Sequence, residues 1–401
     1  MSHLDEHGVL VDCQHGFRKH RSCETQLINT IEDLSRSLNN RNQTDLLILD
    51  FAKAFDTVPH KRLLLKLDYY GIRGNSLTWM RSWLTHRTQQ VLLEGAHSRR
   101  CVVRSGVPQG TVLGPLCFLL YVNDIGNDIS SNLKLFADDT LLYGLIHNDQ
   151  DAIELQRDLD KLTKWAQIWQ MGFNPSKCYV LRIHRSKHPI IYDYRLSGHT
   201  LEAVDHQTYL GITITETLSW KTHILNVKNK ANKTLGFIKR NLHICPEKVK
   251  KQAYTTLVRP TLEYGCAAWD PYRQYQINSL ESVQRRAARF VTRTHGREPG
   301  CVTRALNHLQ WQTLEHRRKI SRLNLLHKTL HGMVAIKIPP YVQHKPVQKT
   351  RKSHPLKLLP LQSNCDTYKF SFWPRTIKDW NALPNEMLNI TDSNRFKSSL
   401  I

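Results

Sequence analysis

An α/β fold is predicted for the first 215 residues, followed by a largely helical second half, and three observations predict it. Short apolar runs of strand length (LLILDF, CYVLRI and YLGITI) alternate with stretches whose apolar residues recur at every third or fourth position. Beyond Trp220 only the helical period continues. The charge changes at the same place: residues 1–215 hold 24 Lys/Arg and 23 Asp/Glu, leaving 33 and 11 for residues 216–401, so the net charges are +1 and +22. A near-neutral half containing paired aspartates, joined to a basic half, suggests chemistry in the first and a grip on phosphate in the second. A merely soluble basic tail is the plainer reading, but Trp, Tyr and Leu continue at helical spacing through that half and imply a folded body.

At 401 residues the chain has room for two or three domains. Its nine cysteines are scattered and form no CxxC pair, which points to a reducing compartment and no disulfide framework. The longest apolar run, residues 112–122, is too short for the roughly 20 residues a membrane span needs. No signal peptide is read at the start. His327 and His331 stand one helical turn apart without a matching Cys pair, and are expected as surface histidines rather than zinc ligands.

After GFRKHRSC, Leu27, Ile28, Ile31, Leu34 and Leu38 describe an amphipathic helix that Ser22 could cap, ending near NNRNQ. LLILDF is a strand buried on both faces. A helix entered through Pro59 carries Leu63, Leu64 and Leu67 and is closed by Gly71 and Gly74. A second helix bears Trp79, Met80, Trp83 and Leu84, and QQVLLE and RRCVVRS can pair as a hairpin. SGVPQGTVLGP opens another apolar helix, and LKLFADDTLLY reads as two short strands meeting at a polar turn. A long helix from Ile153 to Ile168 ends at Gly172, before the strands CYVLRI and YLGITI. Helices then follow around 221–238, 247–258, 276–292 and 314–331. Lys337 to Pro360, with five prolines, reads as an exposed linker before a closing element at FSFWPRTIKDWNALP.

Asp50 ends a buried-type strand, and Asp138 with Asp139 sits at a hairpin turn. A charge closing an apolar strand is costly unless it is paired, exposed or metal-bound. Three carboxylates meeting where neighbouring strands end could hold a pair of hard divalent cations, the arrangement that metal-assisted phosphoryl transfer uses. Adjacent aspartates alone are ordinary turn formers, so the case depends on their neighbours.

Those neighbours are LDFAKAFDTVPH, SGVPQGTVLGP, LFADDTLLY, GFNPSKC and YLGI, in that order. Together they resemble the palm of the reverse transcriptases of non-LTR (LINE-type, jockey-like) retrotransposons. The resemblance extends to GFRKHRS upstream and to LVRPTLEYGCAAWDP and FWPRTIKDWNALP downstream. It implies an α/β right-hand polymerase palm with partial fingers over residues 1–215, an α-helical thumb-like region over 216–335, and a basic Pro-rich linker with a C-terminal element over 336–401. It implies an RNA-directed DNA polymerase acting on an RNA template, a DNA primer or target DNA and dNTPs. Two Mg2+ ions, replaceable by Mn2+, would serve as cofactors, with no membrane partner. By the same resemblance Asp50, Asp138 and Asp139 would be catalytic metal ligands, with Phe51 lending its carbonyl, and Lys177 would protonate the leaving pyrophosphate. Phe55 would be the steric gate against a ribose 2′-OH, and Gln109 and Gly110 would meet the nucleotide. Gly106 and Pro108 would lie under the templating base, Tyr209, Leu210 and Gly211 would form the primer grip, and Arg18 and Arg21 would lie against the template. The basic residues Lys239, Arg240, Lys248, Lys250, Lys251, Arg285, Arg286 and Arg289 could follow a duplex backbone.

Family members begin earlier, with a fingers hairpin that holds the triphosphate, and carry an upstream endonuclease. The chain therefore reads as N-terminally truncated, and the competing reading is a catalytically inactive nucleic-acid-binding remnant. A group II intron maturase would share the palm but bring its own maturase region. A nuclear location is implied by the family alone.

Overall fold

The computed structural model describes residues 2–294, 296, 298–346 and 354–401. It divides into two compact units: residues up to Gln26 with Asn42–Asp205, and Leu27–Arg41 with His206–Ile401. The chain thus passes from one unit to the other at Asp205, ten residues before the change of charge at Thr215, and the early helix contributes to the second unit from Leu27 onward. Among the described residues no helix is long and apolar enough to cross a membrane.

That helix, α1 (Cys23–Asn39), starts as the sequence suggests: Ser22 Oγ accepts from the Thr25 N–H at 3.2 Å. The first unit is organised on a five-stranded sheet of β1 (Gln43–Leu49), β2 (Asn132–Phe136), β3 (Asp139–Ile146), β4 (Tyr179–Ile183) and β5 (Glu202–Val204), in the order β5-β4-β1-β3-β2. All neighbours are antiparallel except β5 and β4. Leu46, Leu47 and Leu49 of the central β1 are fully buried, the reason its sequence is apolar at consecutive positions. Helices α2 (His60–Tyr69), α3 (Gly74–Leu84), α4 (Leu113–Val122) and α5 (Asp149–Trp169) supply Leu63, Leu67, Leu84, Phe118, Leu155, Leu159 and Leu162 to the same core. α5 is opened by a reciprocal Asn148–Asp151 capping box and closed by Gln170 at φ 55°, two residues ahead of Gly172. The expected pairing of QQVLLE with RRCVVRS is present only at its base, Thr88–Gln89 on Cys101–Val102, whereas Leu92–Leu93 pairs with Ala96–His97 instead.

In the second unit YLGITI is not one strand. Leu210 (φ 45°) and Gly211 (φ 79°) are both left-handed and form a two-residue turn between β6 (His206–Tyr209) and β7 (Ile212–Thr215). Such a turn matches the natural twist of a hairpin. The helices α6 (Lys221–Asn241), α7 (Gln274–Val291), α8 (Leu314–Leu330) and α9 (Phe372–Asn381) build the rest.

Asp270, 5 % exposed, sits at the centre of this unit. It accepts from Arg318 Nε at 2.7 Å and Arg322 Nε at 2.9 Å, and Arg375 approaches at 3.2 Å. The downstream motifs WDP and FWPRT are thereby two ends of one buried ionic cluster.

Three expectations are corrected here. Lys250, expected on a basic outer face, is 1 % exposed with its ammonium 5.0 Å from the Phe290 ring centroid, so it cannot reach a duplex. His327, expected at the surface, is fully buried, stacked on Phe396 at 4.3 Å and donating to the Ile390 carbonyl at 2.6 Å. The stretch read as an exposed linker packs at both of its described flanks: Val342 and Leu358 are buried, and Lys345 N–H donates to the Lys357 carbonyl at 2.8 Å. Residues 347–353 of that stretch lie outside the described residues.

Two predictions follow from this packing. Asp270→Ala leaves buried arginines without their counter-ion and should cost about 3–5 kcal/mol, read as a fall in the urea midpoint of the second unit. Glu32, buried beside Tyr341, whose hydroxyl donates to it, is pushed up to about 7 by burial, against the opposing effect of that hydrogen bond. The folded chain then holds this proton more tightly than an unfolded chain does at the ordinary value of 4.5. Its favourable contribution is complete below that ordinary value and is lost as pH rises through about 7. Glu32→Gln should therefore gain stability relative to the parent as pH rises across this window, and a pH-independent difference in unfolding midpoint would contradict it.

Candidate active site

Strand register decides which carboxylates meet. Leu49 of β1 pairs with Thr140 of β3, and Phe136 of β2 pairs with Asp139 of β3. Continuing the first ladder by one step sets Asp50 beside Asp139, while the second leaves Ala137 and Asp138 as the two residues of the turn. Asp50, Asp138 and Asp139 are thus gathered at one end of three adjacent strands. Their electrostatics agree: burial first, and then the charge of Asp50, raise Asp138 above the usual carboxylate range. Burial, followed by the charges of Asp138 and Asp50, pushes Asp139 up to about 6.

The turn is held from outside the sheet by Gln14, which the sequence did not single out, and by Gly16 at the start of GFRKHRS. Ala137 takes φ 55°, an uncommon conformation for a residue with a side chain. Buried Gln14 fixes it: its Oε1 accepts from Ala137 N at 2.9 Å and from Gly16 N at 2.7 Å, and its Nε2 donates to the Ala137 carbonyl at 3.3 Å. A Cβ on Gly16 would lie 2.4 Å from Ala137 N, so only glycine allows this approach. A lone glutamine carries no periodic signal.

GFNPSKC docks on Asp50. Asn174 N–H donates to the Asp50 carbonyl at 2.8 Å, Asp50 N–H to Cys178 Sγ at 3.4 Å, and Phe51 stacks on Phe173 at 4.3 Å. Lys177 Nζ stands 3.5 Å from Asp50 Oδ2. Burial pushes the Cys178 thiol up to about 11, so it remains an uncharged packing group.

Among the described residues no three His, Cys, Asp or Glu side chains are drawn into a closed metal-holding group. The donors nonetheless fit a hard divalent cation. Asp50, Asp138 and Asp139 offer the carboxylate oxygens such an ion takes, and the upward shifts of Asp138 and Asp139, caused by burial first and then by the neighbouring negative charges, mark carboxylates whose ionised form a cation would stabilise.

The SGVPQG loop lies against the segment that follows Asp50. Gly106 N–H donates to the Val58 carbonyl and Val107 N–H to the Phe55 carbonyl, each at 2.8 Å. Ser105 Oγ donates to the Asp56 carbonyl, and Gln109 Nε2 to Asp56 Oδ1, again at 2.8 Å. The Gly106 carbonyl accepts from His60 Nε2 at 2.9 Å and Arg87 at 3.1 Å. Phe55 is stacked on Phe118 at 4.4 Å with Phe17 edge-on at 6.4 Å. Gly110 is exposed at φ 74°, and Pro108 accepts from Thr111 Oγ at 2.7 Å through its carbonyl.

Other expected site residues have partners of their own. Arg18 and Arg21 turn their guanidinium groups onto the carbonyls of Val11, Asp12 and Gln14, and Arg21 also pairs with the Asp12 carboxylate at 2.8 Å. Tyr209, Leu210 and Gly211 belong to the second unit, where Tyr264 donates to the Leu210 carbonyl at 3.1 Å.

Residues 1–214 match the family model described as "Reverse transcriptase (RNA-dependent DNA polymerase)". The chain is 26 % identical over 311 residues to the "Probable RNA-directed DNA polymerase from transposon BS" of Drosophila melanogaster, covering 72 % of this chain and 33 % of that protein. It is 25 % identical over 293 residues to the "RNA-directed DNA polymerase from mobile element jockey" of the same organism, covering 70 % of this chain and 32 % of that one. It spans about a third of the length of these curated relatives. Among solved structures it is similar to telomerase from Candida albicans, with a TM-score of 0.40 and 14 % identity over 80 % of this chain and 53 % of that one.

Gly106→Ala tests the docking of the loop. Its Cβ would meet the Asp56 backbone at 2.8 Å, at a φ of +86° that disfavours any side chain. A loss of about 1–3 kcal/mol is expected from calorimetric unfolding, and a neutral result would show that the loop is free to shift.

Proposed function

The chain belongs to the reverse transcriptase (RNA-dependent DNA polymerase) family, and from that premise we propose that it copies an RNA template into DNA, adding dNTPs to the 3′-OH of a DNA primer. The observation that carries this reading is the register that sets Asp50 beside the Ala137–Asp139 turn. In this reading Asp50, Asp138, Asp139 and the Phe51 carbonyl hold two Mg2+ ions, for which Mn2+ can substitute. When bound, these ions activate the primer hydroxyl and neutralise the triphosphate.

The other residues bind and position. Lys177, close enough to Asp50 to be its counter-ion, is freed for the leaving pyrophosphate, to which its ammonium can give a proton. Phe55 is held between Phe17 and Phe118 as a rigid wall, and a 2′-OH would collide with it. Gln109 and Gly110 face the nucleotide, Gly106 and Pro108 support the templating base, and Tyr209, Leu210 and Gly211 position the primer end. Arg18 and Arg21 shape the template-side loop through the carbonyls they hold, Arg21 also through its pair with the Asp12 carboxylate. Copying primed at chromosomal DNA would put the protein in the nucleus.

The test is primer extension on an RNA template with Mg2+ or Mn2+. Asp138→Asn should lower extension at least about a hundredfold while leaving RNA binding in place, as expected when charge stabilisation at the reacting centre is removed. Equal background extension by both proteins, with RNA still bound, would leave a non-catalytic binding role and end the polymerase reading.

A further inference from the structure

We propose that Asp56 is a positioning residue that fixes the orientation of the Gln109 amide, and through it the selection of the incoming nucleotide. The inference rests on the polymerase reading above and assigns a residue that neither metal binding nor the steric gate accounts for.

Asp56 directly follows the gate residue Phe55, and its backbone is pinned at several points. Ser105 Oγ donates to its carbonyl at 2.8 Å, and its own N–H donates to the Lys53 carbonyl at 2.9 Å. The bare face of Gly106 presses on its Cα and carbonyl. Its side chain therefore projects from a fixed base, and Gln109 Nε2 donates to Oδ1 at 2.8 Å.

An ionised carboxylate only accepts hydrogen bonds, so the NH2 end of Gln109, not its oxygen, must face Asp56. The Gln109 oxygen is then turned away from Asp56 as an acceptor, beside one remaining N–H. A glutamine without this partner rotates freely and presents either end. With it, the loop offers an acceptor suited to a sugar hydroxyl, such as the 3′-OH of a deoxynucleotide, at a set distance from the Phe55 wall. Gate and acceptor are one unit because Phe55 and Asp56 are adjacent in the chain and the Phe55 carbonyl holds Val107 N–H at 2.8 Å.

The experiment measures single-nucleotide incorporation by the full chain, with kcat and KM determined separately for a dNTP and the matching rNTP. Asp56→Ala should raise the dNTP KM about tenfold, the usual scale for loss of one charge-assisted hydrogen bond, with kcat within about twofold. The dNTP/rNTP preference should fall by a similar factor. Asp56→Asn keeps a side-chain carbonyl able to accept from Gln109 and should recover most of the loss. Combining Asp56→Ala with Gln109→Ala should add nothing beyond Gln109→Ala alone.

A merely structural role predicts a lowered melting temperature, losses that add in the double variant, and no rescue by asparagine. Any of these results overturns the proposal, as does an unchanged KM. Parent extension with unaffected Asp56 variants removes this inference alone. A parent chain that extends no primer removes the polymerase reading together with it.

Discussion

Like charges gathered at the end of a sheet are the constraint around which the first unit is arranged. Burial first, and then the neighbouring negative charges, raise the proton affinity of Asp138 and Asp139, and the chain keeps the three carboxylates together by geometry rather than by attraction. The β1–β3 and β2–β3 ladders set the spacing, Gln14 and Gly16 brace the turn, and GFNPSKC clamps the backbone on either side of Asp50. Lys177 is the cation that pairs with this group among the described residues, at Asp50. Motifs far apart in sequence are thus parts of a single restraint on three negative charges.

A second restraint depends on the first. The segment from Ala52 to Pro59 leaves the end of β1 and immediately receives the SGVPQG loop through the bonds made by Ser105, Gly106, Val107 and Gln109. Lys53 takes φ 52° at the start of this turn. That backbone cost is sustained because the segment is fixed at both ends, by Gly172 against Ala52 and by the loop against Asp56 and Val58. The proposed nucleotide-facing residues therefore inherit their position from the strand that carries Asp50.

Much of this was legible in the sequence, because strand and helix periods report burial directly. LLILDF, LKLFADDTLLY and the capped helix beginning at Cys23 form the elements their patterns predict. What escaped has identifiable physical causes. YLGITI reads as a strand by composition, and only the paired left-handed residues Leu210 and Gly211 turn it into a hairpin. Lys250 and His327 were placed outside because charged and polar residues usually are, yet each is enclosed by an aromatic ring whose partner lies far along the chain. Gln14 acts through three hydrogen bonds to the turn and its neighbour, and a single polar residue has no period to reveal it. Proline and lysine content suggested an exposed linker near Tyr341, but its partner Glu32 is more than 300 positions away.

The charge asymmetry acquires a different meaning once its members are located. A net charge of +22 over residues 216–401 suggested one continuous grip on phosphate. Several of those cations are already committed internally: Arg318, Arg322 and Arg375 to Asp270, Arg317 to Glu263, and Lys319 to Asp379. The scarce acids of this half are in effect the centres around which its arginines fold. Net charge counts every cation equally, whereas only those left facing solvent can release counter-ions from a nucleic acid. Affinity for a polyanion should accordingly follow exposed residues such as Lys248, Arg285 and Arg289 rather than the total, because the arginines closest to Asp270 hold the fold together and are not available to bind.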